Sequence, residues 1–440
     1  MSEGWLASLI PALFLLLLAL FAYARSRSWL APGTFFPMIW TGFVLLPMLG
    51  APDYEVRAGA VWYILASNFA VYSGSLVGGF PVMLRRRTER YVARTQLHNR
   101  LGSLHFPGLN HIILASIILG LLYSLFVLRD FRRSLTVFLS FKEIFRMGHE
   151  ISVARYSGVY VYSSLPTQII LSFVYVGPIF SGLSFSLNLS RSHRLIAFLS
   201  IVPALIVAVI QTTRAAILFS GILWMASYFS GSVLLERGTV HLFAKKHVLL
   251  VSFLIPLLVV VLIILLMARG NMMSLDEIPG RFLHLRSDLL GHLAVFSHWF
   301  QDLWYGDITP YFGVSTFGGI FTRLDIRPQE LKLYGEAVKV GPGQWTNLYT
   351  IFLPLIKDFT PVGALLVLFA GGIVAERAYN RLAQGKVVYL PILVAFYAVT
   401  QGSFTQCIFA YNSILAAWLL LTCYILITQF LQRMRRKHKG

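Results

Sequence analysis

The stretch AVIQTTRAAILF, residues 208–219, lies in the middle of a long apolar run that covers residues 195–234. As a single helix this run would be about 60 Å long, roughly twice the thickness of the hydrocarbon core of a bilayer. The chain therefore has to fold back near the middle of the run, where Gln211–Arg214 is the only polar cluster. We expect two membrane helices that meet at Arg214.

The composition of the whole chain indicates the same class of protein. Of its 440 residues 57% are hydrophobic and only 12% are charged, and the mean hydropathy is +0.71. Soluble domains contain about twice that charged fraction. The apolar runs lack the alternation of barrel strands, so we predict an all-α polytopic membrane protein. About eleven runs are long enough to span a bilayer: 5–23, 34–50, 59–80, 109–128, 163–182, 195–211, 215–234, 248–268, 349–374, 388–408 and 411–430.

The net charge of +19 follows the predicted topology. The basic residues are concentrated in alternate gaps between the spans, at 25–27, 85–100, 191–194, 237–246, 377–386 and 433–439. By the positive-inside rule these segments are cytoplasmic, which puts the N-terminus in the periplasm and the C-terminus in the cytoplasm. The excess of basic residues is therefore explained without a nucleic-acid partner.

Two features near the ends of the chain favour simple interpretations. The first run ends in AYARS, which resembles a signal-peptidase site, but residues 1–5 contain no basic residue, so we expect a retained helix. Cys407 and Cys423 lie in the last two runs and have no metal-binding or redox spacing. We expect both to pack as apolar residues.

The spans divide the chain into three parts. Residues 1–268 form an N-terminal bundle of about eight spans, 269–348 form a large periplasmic loop with short helices, and 349–440 form about three further spans and a basic tail. Within the first part, an outer segment at 129–162 is predicted to contain an amphipathic helix that rests on the membrane. Its apolar face would consist of Leu135, Phe138, Phe141, Ile144 and Phe145.

The long loop contains RFLHLRSDLLGHLAVFSHWFQDLW, residues 281–304, which reads as an amphipathic helix. Arg281, His284, Asp288 and His292 are spaced to share one face, where they could bind an anion and move a proton. A solvated helix face gives the same pattern, and a zinc site is a further alternative. The aromatic residues in and after this helix could stack on sugars or pack at the membrane interface: Trp299, Trp304, Tyr305 and Tyr311.

Arg214 itself is expected at the outer boundary of the membrane, because both flanks of its run carry cytoplasmic basic residues. A charge at the bilayer centre costs roughly 2.5–3.5 kcal/mol on insertion scales, whereas at the boundary the side chain can reach water. There the guanidinium could bind an anionic substrate. It could equally bind lipid phosphates or neighbouring carbonyl groups.

Three stretches carry a resemblance to a known family. TTRAAILFSGILWMASYF (212–229), RSWLAPGTFFPMIWTGF (27–43) and NLYTIFLPLIKDFTPVG (347–363) resemble stretches of the Wzy-type O-antigen polymerases, the oligosaccharide repeat-unit polymerase family. The long outer loop before the last three spans is also similar. The third stretch departs from the family pattern, in which glycine follows Asp-Phe, because Thr360 and Pro361 stand there.

The resemblance implies a glycosyltransferase of the bacterial inner membrane. Such enzymes polymerise undecaprenyl-diphosphate-linked oligosaccharide repeat units into O-antigen or related polysaccharide at the periplasmic face. It also implies no metal or cofactor, and a flippase and a chain-length regulator as partners beside membrane lipid. The O-antigen ligase, which transfers glycan to a lipid A core, is an alternative. A lipid-linked oligosaccharide flippase or transporter is another, although it would be expected to carry charges at mid-helix positions.

For such an enzyme the chemistry needs a cation for the diphosphate and a base for the acceptor hydroxyl. Arginine suits the first role because it has a fixed charge and a bidentate fork. The predicted diphosphate ligands are Arg214, Arg286, Arg155 and Arg281. Histidine or a carboxylate suits the second role, and the predicted candidates are His292, Asp288 and His298.

Overall fold

The computed structural model describes residues 3–89, 106–131, 133–156, 165–187, 191–211, 213–236, 278–303, 309–324 and 337–437. Helices account for most of these ranges, and the sheet found in them is a two-stranded hairpin. Nine helices in the described ranges are long and apolar enough to span a membrane. The architecture is that of an all-α polytopic membrane protein.

The helices of the first half, in chain order, are α1 Glu3–Ser26, α2 Pro32–Gly50, α3 Ala58–Glu89, α4 Leu109–Asp130, α5 Phe141–Tyr156, α6 Leu165–Ser186, α7 Arg191–Leu199, α8 Val202–Gln211 and α9 Arg214–Glu236. The second half contains α10 Ile278–Leu290, α11 His292–Asp302, α12 Gly318–Arg323, β1 Val338–Gly341, β2 Gln344–Thr346, α13 Phe352–Ala383, α14 Leu390–Gly402 and α15 Asn412–Lys437. Helices α7 and α8 together make one of the nine candidate spans.

Nine of the predicted spans coincide with these candidate helices. The predicted span 248–268 lies outside the described residues. The predicted span 388–408 is shorter than expected, because α14 ends at Gly402 and the chain folds back there. A Cβ atom on Gly402 would lie 2.5 Å from Ile408, which packs against the helix end.

The predicted reversal at residues 211–214 is present. Helix α8 ends at Gln211 and α9 begins at Arg214. The N–H of Thr213 donates to the carbonyl of Ala208 at 3.1 Å, and the Gln211 amide donates to the Tyr123 hydroxyl at 2.7 Å. The polar cluster therefore marks the point where the long apolar run divides into two helices.

A close helix crossing joins α3 to α13. A Cβ atom on Gly74 would collide with the carbonyl of Phe369, and one on Gly372 would collide with the carbonyl of Val71. Small residues at such crossings let two backbones approach closely within a membrane. This contact fixes the C-terminal spans against the N-terminal bundle.

The outer segment 129–162 differs in detail from the prediction. Leu135 lies in a short 3-10 helix, Leu135–Leu139, and the extended backbone of Ser140 separates this helix from α5. The apolar side of α5 is buried against the protein, because Ile144, Met147 and Ile151 pack in one cluster with residues of α8. On this side α5 is covered by the protein. Of the predicted face, Leu135 is exposed, and the side chains of Phe138, Phe141 and Phe145 lie outside the described part of the structure, so the predicted contact of this face with the membrane stays a prediction.

The helix ends define two ends of the bundle. At one end, the basic turn after α1 contacts the end of α13, where the Tyr379 hydroxyl donates to the Ser28 hydroxyl at 3.0 Å. Arg25, Arg377, Arg381 and Lys386 lie at this end, which we call the basic end. Arg214 lies at the other end, together with α10, α11 and residues 51–57. The segments 25–27 and 377–386, both predicted to be cytoplasmic, thus share one end, opposite Arg214.

Candidate anion-binding site

Arg214 is the first residue of α9. Its side chain is 24% exposed, so water reaches part of the guanidinium. The first N–H groups of a helix have no partner within the helix, and the helix dipole is positive at this end. The guanidinium and the helix N-terminus therefore place positive charge at the same position, and this charge favours binding of an anion.

Asp288 supplies this anion. Its carboxylate Oδ2 accepts a hydrogen bond from Nη1 of Arg214, and its side chain is 22% exposed. Asp288 lies on α10, 74 residues further along the chain. The ion pair thus brings the break at residues 211–214 together with the helix that carries the other predicted site residues.

Arg286 fastens α10 to the loop between α2 and α3. Its Nε donates to the carbonyl of Gly50 at 2.9 Å, and its Nη1 and Nη2 donate to the carboxylate of Asp53. The guanidinium carbon lies 5.0 Å from the centre of the Tyr54 ring, a cation–π arrangement. With these partners Arg286, also a predicted diphosphate ligand, anchors the helix, while Asp288 on the same helix pairs with Arg214.

Tyr54 extends this anchor to the β hairpin. Its hydroxyl donates to Oε1 of Gln344 on β2, and its ring is buried. Burial raises the pKa of Tyr54 to about 12, although the nearby charge of Arg286 lowers it. The phenol therefore stays protonated and donates a hydrogen bond. The 51–57 loop, α10 and the hairpin are thus linked by side-chain contacts into one structural unit beside Arg214.

His292, the first predicted base, is enclosed. The side chain is buried, and its ring packs against the rings of Phe43 and Phe404, with 5.9 and 5.8 Å between ring centres. Nδ1 lies 3.2 Å from the carbonyl of Leu289, and Nε2 lies 3.0 Å from that of Phe43. Burial lowers the pKa to about 4, against the effect of both carbonyl groups. This imidazole is neutral at pH 7, and neither nitrogen faces a space for substrate.

His298, another predicted base, lies further along α11. Its Nε2 is 3.9 Å from the carboxylate of Glu55, and its side chain is 24% exposed. The neighbouring Ser297 hydroxyl accepts a hydrogen bond from the N–H of Arg57 at 2.6 Å. His298 therefore lies beside the 51–57 loop, and the Glu55 carboxylate is near its ring but beyond hydrogen-bond distance. Part of the His298 side chain is exposed, whereas His292 is fully buried, but the Nε2 atom of His298 is itself buried and has no hydrogen-bond partner among the described residues.

The residues predicted to share one helix face become more buried along the chain from α10 to α11. His284 is exposed, Asp288 is partly buried and His292 is fully buried. Arg281 lies on α10 and Arg155 on α5, but their side chains lie outside the described part of the structure. Among the described residues, no group of three histidine, cysteine or acidic side chains is arranged to hold a metal ion.

The predicted aromatic residues take different roles. Trp299 stacks on Phe296 with 6.2 Å between ring centres, so it packs within α11. Tyr311 is 38% exposed and lies in a turn before α12. Trp304 and Tyr305 lie outside the described residues. Of the two that the structure describes, Tyr311 is the more exposed.

Sequence reasoning did not assign a role to Asp358, which holds the turn 309–317. Its buried carboxylate accepts hydrogen bonds from the N–H of Ser315 at 2.8 Å and from the N–H and hydroxyl of Thr316 at 2.7 and 2.6 Å. The carbonyls of Lys357 and Asp358 accept from the N–H groups of Tyr311 and Phe312. These carbonyls are available because Pro361 has no N–H and interrupts the helix. The turn is therefore fastened to a break in α13.

That break coincides with the departure from the family pattern noted in the sequence. Thr360 has φ 65° and ψ 167°, a backbone conformation that favours glycine and is strained for a β-branched residue. Glycine would be relaxed at this position. Backbone strain of this kind is found where the surrounding structure holds a site in place.

Fold and site together define a polytopic helical membrane protein with a partly buried arginine–aspartate pair at one end of its bundle. No family model matches the chain, and no curated protein and no solved structure matches it either. The geometry of the site carries the functional argument.

Proposed function

We propose that the protein is a glycosyltransferase that polymerises undecaprenyl-diphosphate-linked oligosaccharide repeat units at the periplasmic face of the bacterial inner membrane. The observation that carries this proposal is the position of Arg214, at the N-terminus of a spanning helix and paired with a carboxylate from the long loop segment. A lipid diphosphate lies at this depth when its polyprenyl chain is in the membrane.

The orientation follows from the charges of the connecting segments. The basic end of the bundle carries Arg25, Arg377, Arg381 and Lys386, which favours a cytoplasmic location. Arg214 lies at the opposite end and is therefore periplasmic in this proposal. This is the side on which repeat-unit polymerases, the family that the sequence resembles, act.

The chemistry requires little of the protein beyond charge and a base. The acceptor hydroxyl oxygen forms a bond to the anomeric carbon of the donor, and the bond from that carbon to the diphosphate oxygen breaks. The diphosphate leaves with the electron pair, and a guanidinium fork neutralises its charge. Arg214 takes this role. Asp288 and His298 remain candidates for the base, since the side chains of both are partly exposed, while that of His292 is enclosed.

Reconstitution of the purified protein tests the proposal. In nanodiscs, with undecaprenyl-diphosphate-linked repeat units as sole substrate, we expect a ladder of longer lipid-linked glycans without ATP or an ion gradient. EDTA is expected to leave the ladder intact, because Arg214 supplies the charge compensation. Arg146→Ala is the matched control for Arg214→Ala in this assay, since Arg146 is an exposed arginine that pairs with Glu143 on α5.

The same assay separates the alternatives. Product that appears only after addition of lipid A core would indicate a ligase. Transfer of the lipid-linked substrate across a liposome bilayer, with no longer glycan formed, would indicate a flippase. Either result would refute the polymerase.

A further inference from the structure

We infer that Asp288 occupies the place of the substrate diphosphate on Arg214 in the ligand-free protein, and that this carboxylate sets which anions the site accepts. The inference rests on the proposed function, because it assumes that Arg214 binds a lipid diphosphate. It adds a specificity-determining role for Asp288 and an order of events at the site.

The exposure of the pair permits exchange. Both side chains are about a quarter exposed, at 24% for Arg214 and 22% for Asp288, so an incoming anion can reach the guanidinium from solvent. Separating a fully buried pair would leave uncompensated charges and cost several kcal/mol. Here the arginine gains the substrate as its new partner, and the released carboxylate is hydrated.

The second anchor of α10 keeps Asp288 close after exchange. Arg286 holds the same helix through Gly50 and Asp53, and the side chain of Leu290 packs 2.7 Å from where a Cβ atom on Gly50 would lie. These contacts do not involve Arg214. Release of the ion pair therefore needs only a side-chain movement, while α10 stays in place.

The competition explains how the site can reject ordinary membrane lipids. Phospholipid headgroups carry a phosphodiester with a single negative charge and are present in large excess. The diphosphate carries an additional charge and more acceptor oxygens for the guanidinium fork. A carboxylate already bound to Arg214 must be displaced, so a weak anion is excluded and a diphosphate is accepted. Specificity then comes from the competitor as well as from the ligand.

Displacement also frees a base where it is needed. The released Oδ2 of Asp288 can accept the proton of the acceptor hydroxyl while the hydroxyl oxygen attacks the anomeric carbon. The carbon–oxygen bond to the diphosphate breaks, and Arg214 holds the leaving group. The base is thus available only when the donor is bound.

Binding of farnesyl diphosphate to the full-length protein in phosphatidylcholine nanodiscs tests the inference. Asp288→Asn removes the competing charge and is expected to tighten binding about five- to tenfold, because a partly exposed pair contributes roughly 1 kcal/mol or slightly more. Addition of phosphatidylglycerol to the nanodiscs should weaken binding to this variant and leave the wild type unchanged. Asp302→Asn, at an exposed position of α11, is the matched control.

The direction in which Asp288→Asn changes the affinity for farnesyl diphosphate decides whether the inference holds. If Asp288→Asn binds farnesyl diphosphate more weakly than the wild type, or equally well, Asp288 orients Arg214 and the inference is wrong. Asp288→Ser serves in the same way if the asparagine variant does not fold, as judged by its melting temperature. If Arg214→Ala binds as well as the wild type, the proposed function itself fails, which is a different result.

Discussion

The guanidinium of Arg214 and the carboxylate of Asp288 form an ion pair between two segments that are 74 residues apart in the chain. One partner begins a membrane-spanning helix and the other lies on a helix of the long loop segment. The pair connects the membrane part of the molecule with the part that carries most of the predicted site residues.

The crossing of α3 and α13 is tested by two adjacent glycines. Gly372→Ala would bring a Cβ atom into the backbone of Val71, and overpacking of this kind costs about 1–3 kcal/mol. Gly371 faces open space, so Gly371→Ala is expected to be neutral or to stabilise the helix by about 0.5–1 kcal/mol. Melting temperatures in detergent compare the two. Equal destabilisation by both variants would refute this packing.

Substitution of Asp358 tests whether its hydrogen bonds hold the turn 309–317 in place. Asp358→Ala leaves two buried donors of Thr316 and one partly buried donor of Ser315 without their acceptor, for a loss of about 3 kcal/mol. Asp358→Asn keeps one acceptor oxygen and should cost less. Limited proteolysis within the turn is the measurement. Unchanged protease resistance in the alanine variant would contradict the role of Asp358.

The enclosed imidazole of His292 predicts a pH dependence of stability. Its pKa in the folded protein is about 4, below the ordinary value of 6.5, so the unfolded state binds the proton more readily. The stabilising contribution is complete above pH 6.5 and is lost as the pH falls towards 4, by on the order of 3 kcal/mol. His292→Gln should lack this dependence in melting experiments between pH 7 and 4. A parallel profile for both proteins would contradict the burial of a neutral imidazole.

The orientation of the bundle is tested by cysteine labelling. Lys339→Cys lies on the exposed side of β1, and Gln384→Cys is exposed at the basic end. An impermeant maleimide added to spheroplasts should label the first variant, and should label the second only after lysis. Both variants are made without Cys423, which is exposed on α15. Labelling of both from one side would overturn the assignment of Arg214 to the periplasm.

The sequence contained enough information for the reversal at Arg214, because a long apolar run cannot cross a bilayer once and its polar cluster marks the turn. The partner of Arg214 could not be predicted, since no periodic pattern relates residues that are so far apart in the chain. For His292 the helical spacing suggested a shared face with Asp288. Spacing alone does not show that burial increases from α10 to α11. Because of this burial Asp288 is partly exposed, whereas His292 is enclosed.

The most direct test of the central claim compares Arg214→Ala and Arg214→Lys with the wild type. The measurement is polymer length on a gel, normalised to the amount of protein in the membrane. We predict no polymer from the alanine variant and little from the lysine variant, because lysine keeps the charge and lacks the bidentate fork. Protein levels should stay near normal, since Arg214 and Asp288 are both partly exposed. Full-length polymer from Arg214→Ala at normal abundance would contradict the claim that Arg214 binds the diphosphate.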